Sequence, residues 1–337
     1  MSEKSLHILN HDIKPGKHVV LELEIARLHT RNSLRIPIIV RRARAEGPVL
    51  LLMAGVHGDE INGVAIVRDL ILGKHNYPER GTVICIPVLN VFGYLNRSRE
   101  FPDGRDLNRV FPGSEKGSLA SQFAHRFLKE IAPHTDIIID FHTGGADREN
   151  HPLLRCQFDD ADVMELAKVF NPPFIVHSKY IPKSLRESCR KLGKTMLLFE
   201  GGKSGHLDQE VIQCGKKGAL NIMKHLGMIS GALEKRHESV LIKKSKWLRS
   251  PHSGMLQLQL KNGSRFRKGD LLGQITDPYG AFVRKLHAPF DCWIFGANTS
   301  PIIHKGDALF HVSISRDSDR EHAAPITKQL PEVSSTT

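Results

Sequence analysis

The sequence predicts an α/β protein with a mostly parallel sheet, helices on both faces of that sheet, and a small all-β unit following it. Three observations carry this prediction. Between residues 48 and 226, short apolar runs alternate with segments of helical spacing, as expected of parallel strands joined by helices. Two long β-patterned stretches come before that region. After residue 250 helical spacing stops, and short β-prone runs broken by turn residues take over.

In chain order, HVVLELEIARL and LRIPIIVRRA alternate or run apolar, with Thr, Arg, Asn and Ser between them, and read as strands. PVLLLMAG is a buried-strand run ending in glycine, and INGVAIVRDLILG follows with helical spacing. GTVICIPVLN is the next buried strand. SLASQFAHRFLKEIAP is a helix with Ser118 available as its N-cap. DIIIDFH, PFIVHS and TMLLFEGG are strands, separated by the helices DADVMELAKVF and SLRESCRKLG. A last helix runs from Gln209 to Leu226. The β unit is made of GMLQLQL, LLGQITD, DCWIFGA and ALFHV, broken by Asn262-Gly263, Lys268-Gly269-Asp270 and Lys305-Gly306-Asp307. The expected domains are residues 1–240, including N-terminal strands over 1–45, then the small β domain over 241–314. Residues 315–337 are polar, without periodicity, and are expected to be a disordered tail.

Composition narrows the function classes. At 337 residues, with 40% apolar and 25% charged content, the chain suits a soluble globular protein of one large and one small domain, or of two domains of similar size. No apolar run approaches bilayer length, and the opening residues lack a secretory signal, so a cytoplasmic protein without a membrane partner is expected. The five cysteines are odd in number, widely spaced and free of any CxxC, which excludes a disulfide framework or thiolate zinc site. The net charge of +12 raises nucleic acid as a partner. The basic residues are dispersed, however, and no nucleic-acid motif is present; Lys243, Lys244, Lys246 and Arg249 read as a solvated linker. No pattern speaks to oligomeric state.

The chemistry gathers at predicted strand ends, where open α/β sheets bind ligands. His57 and Glu60 lie three apart in GVHGDE, between a buried strand and a helix, and both can face one point. With 19 histidines, such a pair is expected about once by chance, so it carries little alone. His142 closes the strand IIIDFH and supplies a second imidazole, although a strand-end histidine can be merely structural. Two imidazoles and a carboxylate leave a fourth zinc position open, as hydrolytic sites require. Asp140, two residues earlier on the same strand face, can orient the His142 ring or serve the strand end. Glu200 ends the apolar strand TMLLFE, where an unpartnered carboxylate is costly, and is a candidate base for the attacking water. Gly202-Lys203-Ser204 echoes a phosphate loop, but Leu197 stands where its first glycine belongs. GRDLNRVFPG and the upstream NRSR supply guanidinium groups suited to a carboxylate or a developing oxyanion. An ordinary basic loop explains Arg97 and Arg105 equally well.

The ordered set GVHGDE, DGRDLNRVFPG, DFHTGG and FEGG resembles the succinylglutamate desuccinylase/aspartoacylase family, a branch of the zinc carboxypeptidase-like hydrolases. The match spans Gly55 to Gly202. The resemblance implies a zinc carboxypeptidase-like sheet and one zinc ion per chain on His57, Glu60 and His142. It also implies Glu200 as general base, and Asn108 and Arg109 as carboxylate binders. An arginine shortly before DLNR polarises the scissile carbonyl in aspartoacylase-like members. Arg99 is the expected counterpart, with Arg97 and Arg105 as rivals. The C-terminal unit resembles biotinyl and lipoyl carrier barrels but lacks their modified lysine, which implies a lid or packing module. Tyr279, in a Pro-Tyr-Gly turn, is the residue such a lid would extend over the site. Arg155 is either an extra anion contact or structural. The loops over residues 144–158 and the β domain would line the specificity pocket. The expected activity is zinc-dependent removal of an acyl group from a small anionic N-acyl amino acid or related carboxylate. A metallocarboxypeptidase acting on peptides or cell-wall fragments shares the zinc core, and a non-catalytic binding protein shares the fold.

Overall fold

The computed structural model describes residues 6–27, 31, 33–234 and 238–314. The tail expected over 315–337 lies outside the described residues. A short hairpin of β1 (Leu6–Ile8) and β2 (His11–Ile13) precedes the long strands β3 (His18–Arg27) and β4 (Ser33–Arg42). The alternating segment then follows: β5 (Ala45–Ala54), α1 (Ile61–Leu72), β6 (Arg80–Ile86), α2 (Val91–Asn96), α3 (Leu119–Glu130), β7 (Ile137–Gly144), β8 (Arg148–Cys156), α4 (Ala161–Phe170), β9 (Phe174–His177), α5 (Leu185–Lys191), β10 (Thr195–Lys203) and α6 (Gln209–His225). Ser118 caps α3 through the Ser121 amide, as expected; Asp160, Ser184 and Asp208 cap α4, α5 and α6.

The C-terminal unit contains β11 (Val240–Ile242), β12 (Ser245–Arg249), β13 (Gly254–Leu258), β14 (Arg265–Phe266), β15 (Leu271–Thr276), β16 (Val283–His287), β17 (Cys292–Asn298), β18 (Ile302–Ile303) and β19 (Ala308–Ser313). Strands β16, β15, β13 and β18 form a separate antiparallel sheet.

The large sheet is parallel at its centre, where β6, β5, β7 and β10 run side by side in one direction. Its flanks are antiparallel: β4 and β3 lie beyond β6, and β8 lies beyond β10. The outer edge of β8 is shared, its first half pairing with β17 and its second half with β9. Through β17, β19 and β12 the sheet continues into the C-terminal unit. The segment expected as a loop over 144–158 is therefore mostly strand β8. It lacks an apolar run but has a neighbour on each side to complete its ladder.

Period-two alternation divides the core between the two faces. Leu51 and Met53 of β5 pack into a cluster with α3 and α5, whereas Leu50, Leu52 and Ala54 pack with α1, α4 and α6. Helices thus cover both faces, as predicted. The parallel centre brings the carboxyl ends of β5, β7 and β10 to one edge, which positions the site. No helix among the described residues is long and apolar enough to cross a membrane.

Candidate active site

The loop from Gly55 to Glu60 follows β5 and is clamped against α2. A Cβ on Gly58 would stand 1.8 Å from the Gly93 carbonyl carbon, so only glycine allows the approach. Glu60 stands at the N-cap of α1, but its side chain makes no cap and turns into the site. His57 Nδ1 lies 2.7 Å from Glu60 Oε1. His142, near the end of β7, brings its Nδ1 to 2.8 Å from Glu60 Oε2 and 3.2 Å from His57 Nδ1. All three side chains are buried. The Thr143 amide also donates to Glu60 Oε2.

Each imidazole is oriented from behind by a carboxylate. His142 Nε2 lies 2.7 Å from Asp140 Oδ2, and His57 Nε2 lies 3.1 Å from Asp106 Oδ1. An ionised carboxylate only accepts, so both Nε2 atoms hold protons, and in the neutral rings that a metal requires both Nδ1 atoms present lone pairs. Two lone pairs and a carboxylate converging on one buried point repel one another unless a cation lies between them. Ligand atoms on a tetrahedral zinc with bonds of about 2.0–2.1 Å stand about 3.3 Å apart. The observed separations of 2.7, 2.8 and 3.2 Å reach that spacing with an outward relaxation of at most about 0.6 Å, so nitrogen, nitrogen and oxygen suit zinc in kind. Among the described residues, His57, Glu60 and His142 form the one group of side chains that could hold a metal ion.

Electrostatics agree with a site built for positive charge. Burial works against ionising Glu60, yet the two imidazoles hold its carboxyl well below the usual carboxylate range. Burial likewise opposes protonating His142, yet Asp140 and Glu60 push it well above the usual histidine range. Asp106 is half-buried and is nevertheless held far below its ordinary value by His57 and Arg99. Arg99 closes the network, donating to Glu60 Oε1 at 3.0 Å and to Asp106 Oδ2 at 2.9 Å.

His57, Glu60, Arg99, Asp140 and His142 line a cavity of about 520 Å³. Glu200 stands beside His142 in register across β10 and β7, and Met196, Leu198 and Glu200 line the cavity from one face of β10. Arg155 Nε donates to Glu200 Oε1 at 2.7 Å, and Asn150 Nδ2 donates to Oε2 at 2.8 Å. Asn108 and Arg109 also line the cavity. The Asn108 side-chain oxygen accepts from the Leu185 amide, which leaves its NH2 group for a ligand. Of the three candidate arginines, only Arg99 lines the cavity; Arg105 pairs with Asp103 at 3.2 Å. Tyr279 is not brought to the site. It is 91% exposed in the turn between β15 and β16, where a bond from the Ala281 amide to Asp277 closes the turn and sends the ring into solvent.

Several lining or supporting residues have no assigned role in the sequence. Asp106 had a signal, since it lies two residues before Asn108 in the same polar stretch. Asn150, Arg148 and Arg186 had none, and Trp247 reaches the cavity from β12 of the C-terminal unit.

Residues 46–226 match the model of the succinylglutamate desuccinylase/aspartoacylase catalytic domain. The chain is 28% identical over 274 residues to the N-alpha-acetyl-L-2,4-diaminobutyric acid deacetylase of Halomonas elongata, covering 77% of this chain and 80% of the relative. The fold superposes on a succinylglutamate desuccinylase/aspartoacylase from Rhodobacter sphaeroides with a TM-score of 0.78 at 25% identity, covering 89% of this chain and 96% of the other. It superposes equally on the product-bound ectoine utilization protein EutE (DoeB) of Ruegeria pomeroyi, with a TM-score of 0.78 at 25% identity over 89% and 95% of the two chains.

Proposed function

The chain belongs to the succinylglutamate desuccinylase/aspartoacylase family, and from that premise we propose that it is a zinc-dependent amidohydrolase removing the acyl group from a small N-acyl amino acid. The observation that carries the proposal is the convergence of His57 Nδ1, His142 Nδ1 and the Glu60 carboxylate on one point of an arginine-lined cavity. His57, Glu60 and His142 would hold one zinc ion, which when bound supplies Lewis acidity toward the carbonyl and acidifies water. Glu200 takes a proton from the attacking water and returns it to the leaving amine, so the amide C–N bond breaks to give a free carboxylate and an amine. Its two oxygens each accept one bond in the structure, which leaves lone pairs for that proton. Arg99 uses three of its five N–H groups on Glu60 and Asp106 and has two left to stabilise the carbonyl oxygen. Asn108 and Arg109 fix the substrate carboxylate.

The Halomonas relative deacetylates an N-acetylated diamino acid, so N-acetyl amino acids head the test, with N-succinyl amino acids and short peptides beside them. Hydrolysis of N-acyl amino acids with zinc supplied is expected; turnover of peptides alone would transfer the chain to the carboxypeptidases. Folded protein that takes up no zinc would make it a binding protein. Glu200→Gln should keep zinc and lose about two or more orders of magnitude in turnover; near-normal turnover removes Glu200 from the role of base.

A further inference from the structure

The C-terminal unit meets the catalytic sheet at one place that bears on Glu200. Strand β17 pairs with β8 so that Gly296 stands opposite Asn150. A Cβ on residue 296 would lie 2.9 Å from Asn150 Oδ1 and 3.1 Å from the His311 Cβ. The Asn150 amide therefore occupies the space that a side chain at 296 would take. Asn150 is buried, and its Nδ2 donates to one Glu200 oxygen while Arg155 donates to the other.

Both donors come from β8, and the ladder between β8 and β10 explains how they reach the same carboxylate. Glu200 pairs with Leu153 and Leu198 with Arg155, so period two puts Arg155 on the face of Glu200. Asn150 is three residues from Leu153 and would point to the opposite face in an unbroken ladder. The register shift between Glu200 and Gly202 turns it back.

We infer that the C-terminal β unit positions the catalytic carboxylate: Gly296 seats Asn150, and Asn150 and Arg155 together fix both oxygens of Glu200. The inference rests on Glu200 being the base. A carboxylate held at both oxygens cannot turn about its last torsion, so its free lone pairs keep one direction toward the attacking water. Asn150, Arg155 and Gly296 are positioning residues, and a displacement of about 1 Å at such a site can cost up to about 10²-fold in rate.

Steady-state kinetics and metal analysis on the full-length zinc-loaded enzyme test this. Gly296→Ala and Asn150→Ala should each lower kcat about 10-fold, with KM within about twofold and zinc content unchanged. The double variant should be no slower than Asn150→Ala alone, because no amide remains for the new methyl to displace. Multiplying losses in the double variant, an unchanged kcat in the single variants, or losses explained by missing zinc would overturn the inference. If Asn150→Ala does not fold, Arg155→Met and Arg155→Lys replace it. The Arg155→Lys enzyme must then recover part of the kcat lost in Arg155→Met, and equal losses count against the inference. An active Glu200→Gln enzyme sinks the assignment of the base, and this inference with it. An inactive Glu200→Gln enzyme beside fully active Gly296→Ala and Asn150→Ala sinks this inference alone.

Discussion

The His57–Glu60–His142 end of the cavity and the Glu200 end are assembled in opposite ways. At the first end, the side chains come from the loop after β5 and the end of β7, and each imidazole is oriented by an acid of the same sheet or its loops. Three carboxylates, Glu60, Asp106 and Asp140, surround two imidazoles and the guanidinium of Arg99. At the Glu200 end, one carboxylate stands among donors: Asn150 and Arg155 on β8, with Arg148 nearby on the same strand, its guanidinium 5.3 Å from the ring centroid of Trp247. The first arrangement suits an incoming cation. The second suits an anion and holds one carboxylate still, with support from another part of the chain. Proximity along parallel strands is enough to gather His57, Glu60 and His142, whereas aiming Glu200 takes contacts across strands.

The largest test of that contrast is at the end built on His57, Glu60 and His142. His142→Ala should lose zinc on dialysis and at least about 10³-fold in activity; retained zinc by metal analysis would break the picture of a three-donor site. Arg99→Ala should lower kcat about 10²- to 10³-fold with zinc retained, while Arg105→Ala, whose partner is Asp103, stays near wild type. Equal losses in these two variants would mean that the arginine was wrongly chosen. Asp140→Asn should weaken zinc about 10- to 100-fold in chelator competition, since it loosens the His142 ring without removing a ligand. Unchanged affinity would reduce Asp140 to a strand-end residue.

The two ends also differ in how far the sequence revealed them. His57, Glu60 and His142 each close or follow an apolar strand, so local pattern alone placed them at one edge of a parallel sheet, and Asp140 followed from period two. Glu200 was legible for the same reason. Its support was not. RENHPLLRC contains Pro152, two arginines and no apolar alternation, so β8 reads as loop; its pairing is set by β10 and β17 from far along the chain. The register shift that aims Asn150 leaves no mark in composition. Likewise DCWIFGA reads as a strand, but nothing in it says that Gly296 will face residue 150. Tyr279 shows the converse: a turn was readable, and the direction of its side chain was not.

A further test separates the two ends by stability rather than rate. His311 is stacked against Trp247 at 4.7 Å behind the Glu200 end, with Nε2 3.0 Å from Ser245 Oγ and no partner for its buried Nδ1. Burial, followed by the repulsion of Arg155 and Arg148, pushes its pKa down to about 3. The unfolded chain takes up this proton near the ordinary histidine value of about 6.5. Between those two values the unfolded state binds a proton that the folded state refuses, so stability is full above about 6.5 and declines as pH falls toward 3. One proton gives a slope of at most about 1.4 kcal/mol per pH unit. His311→Phe keeps a ring in the stack and removes the titration, so the gap between wild type and variant in urea unfolding should change with that slope from pH 7 to pH 4. Protonation of His57 and His142 acts on both proteins alike and cancels in the difference. Parallel stability curves for the two would mean that His311 already carries its proton in the folded protein, and that the Glu200 end is wetter than its packing implies.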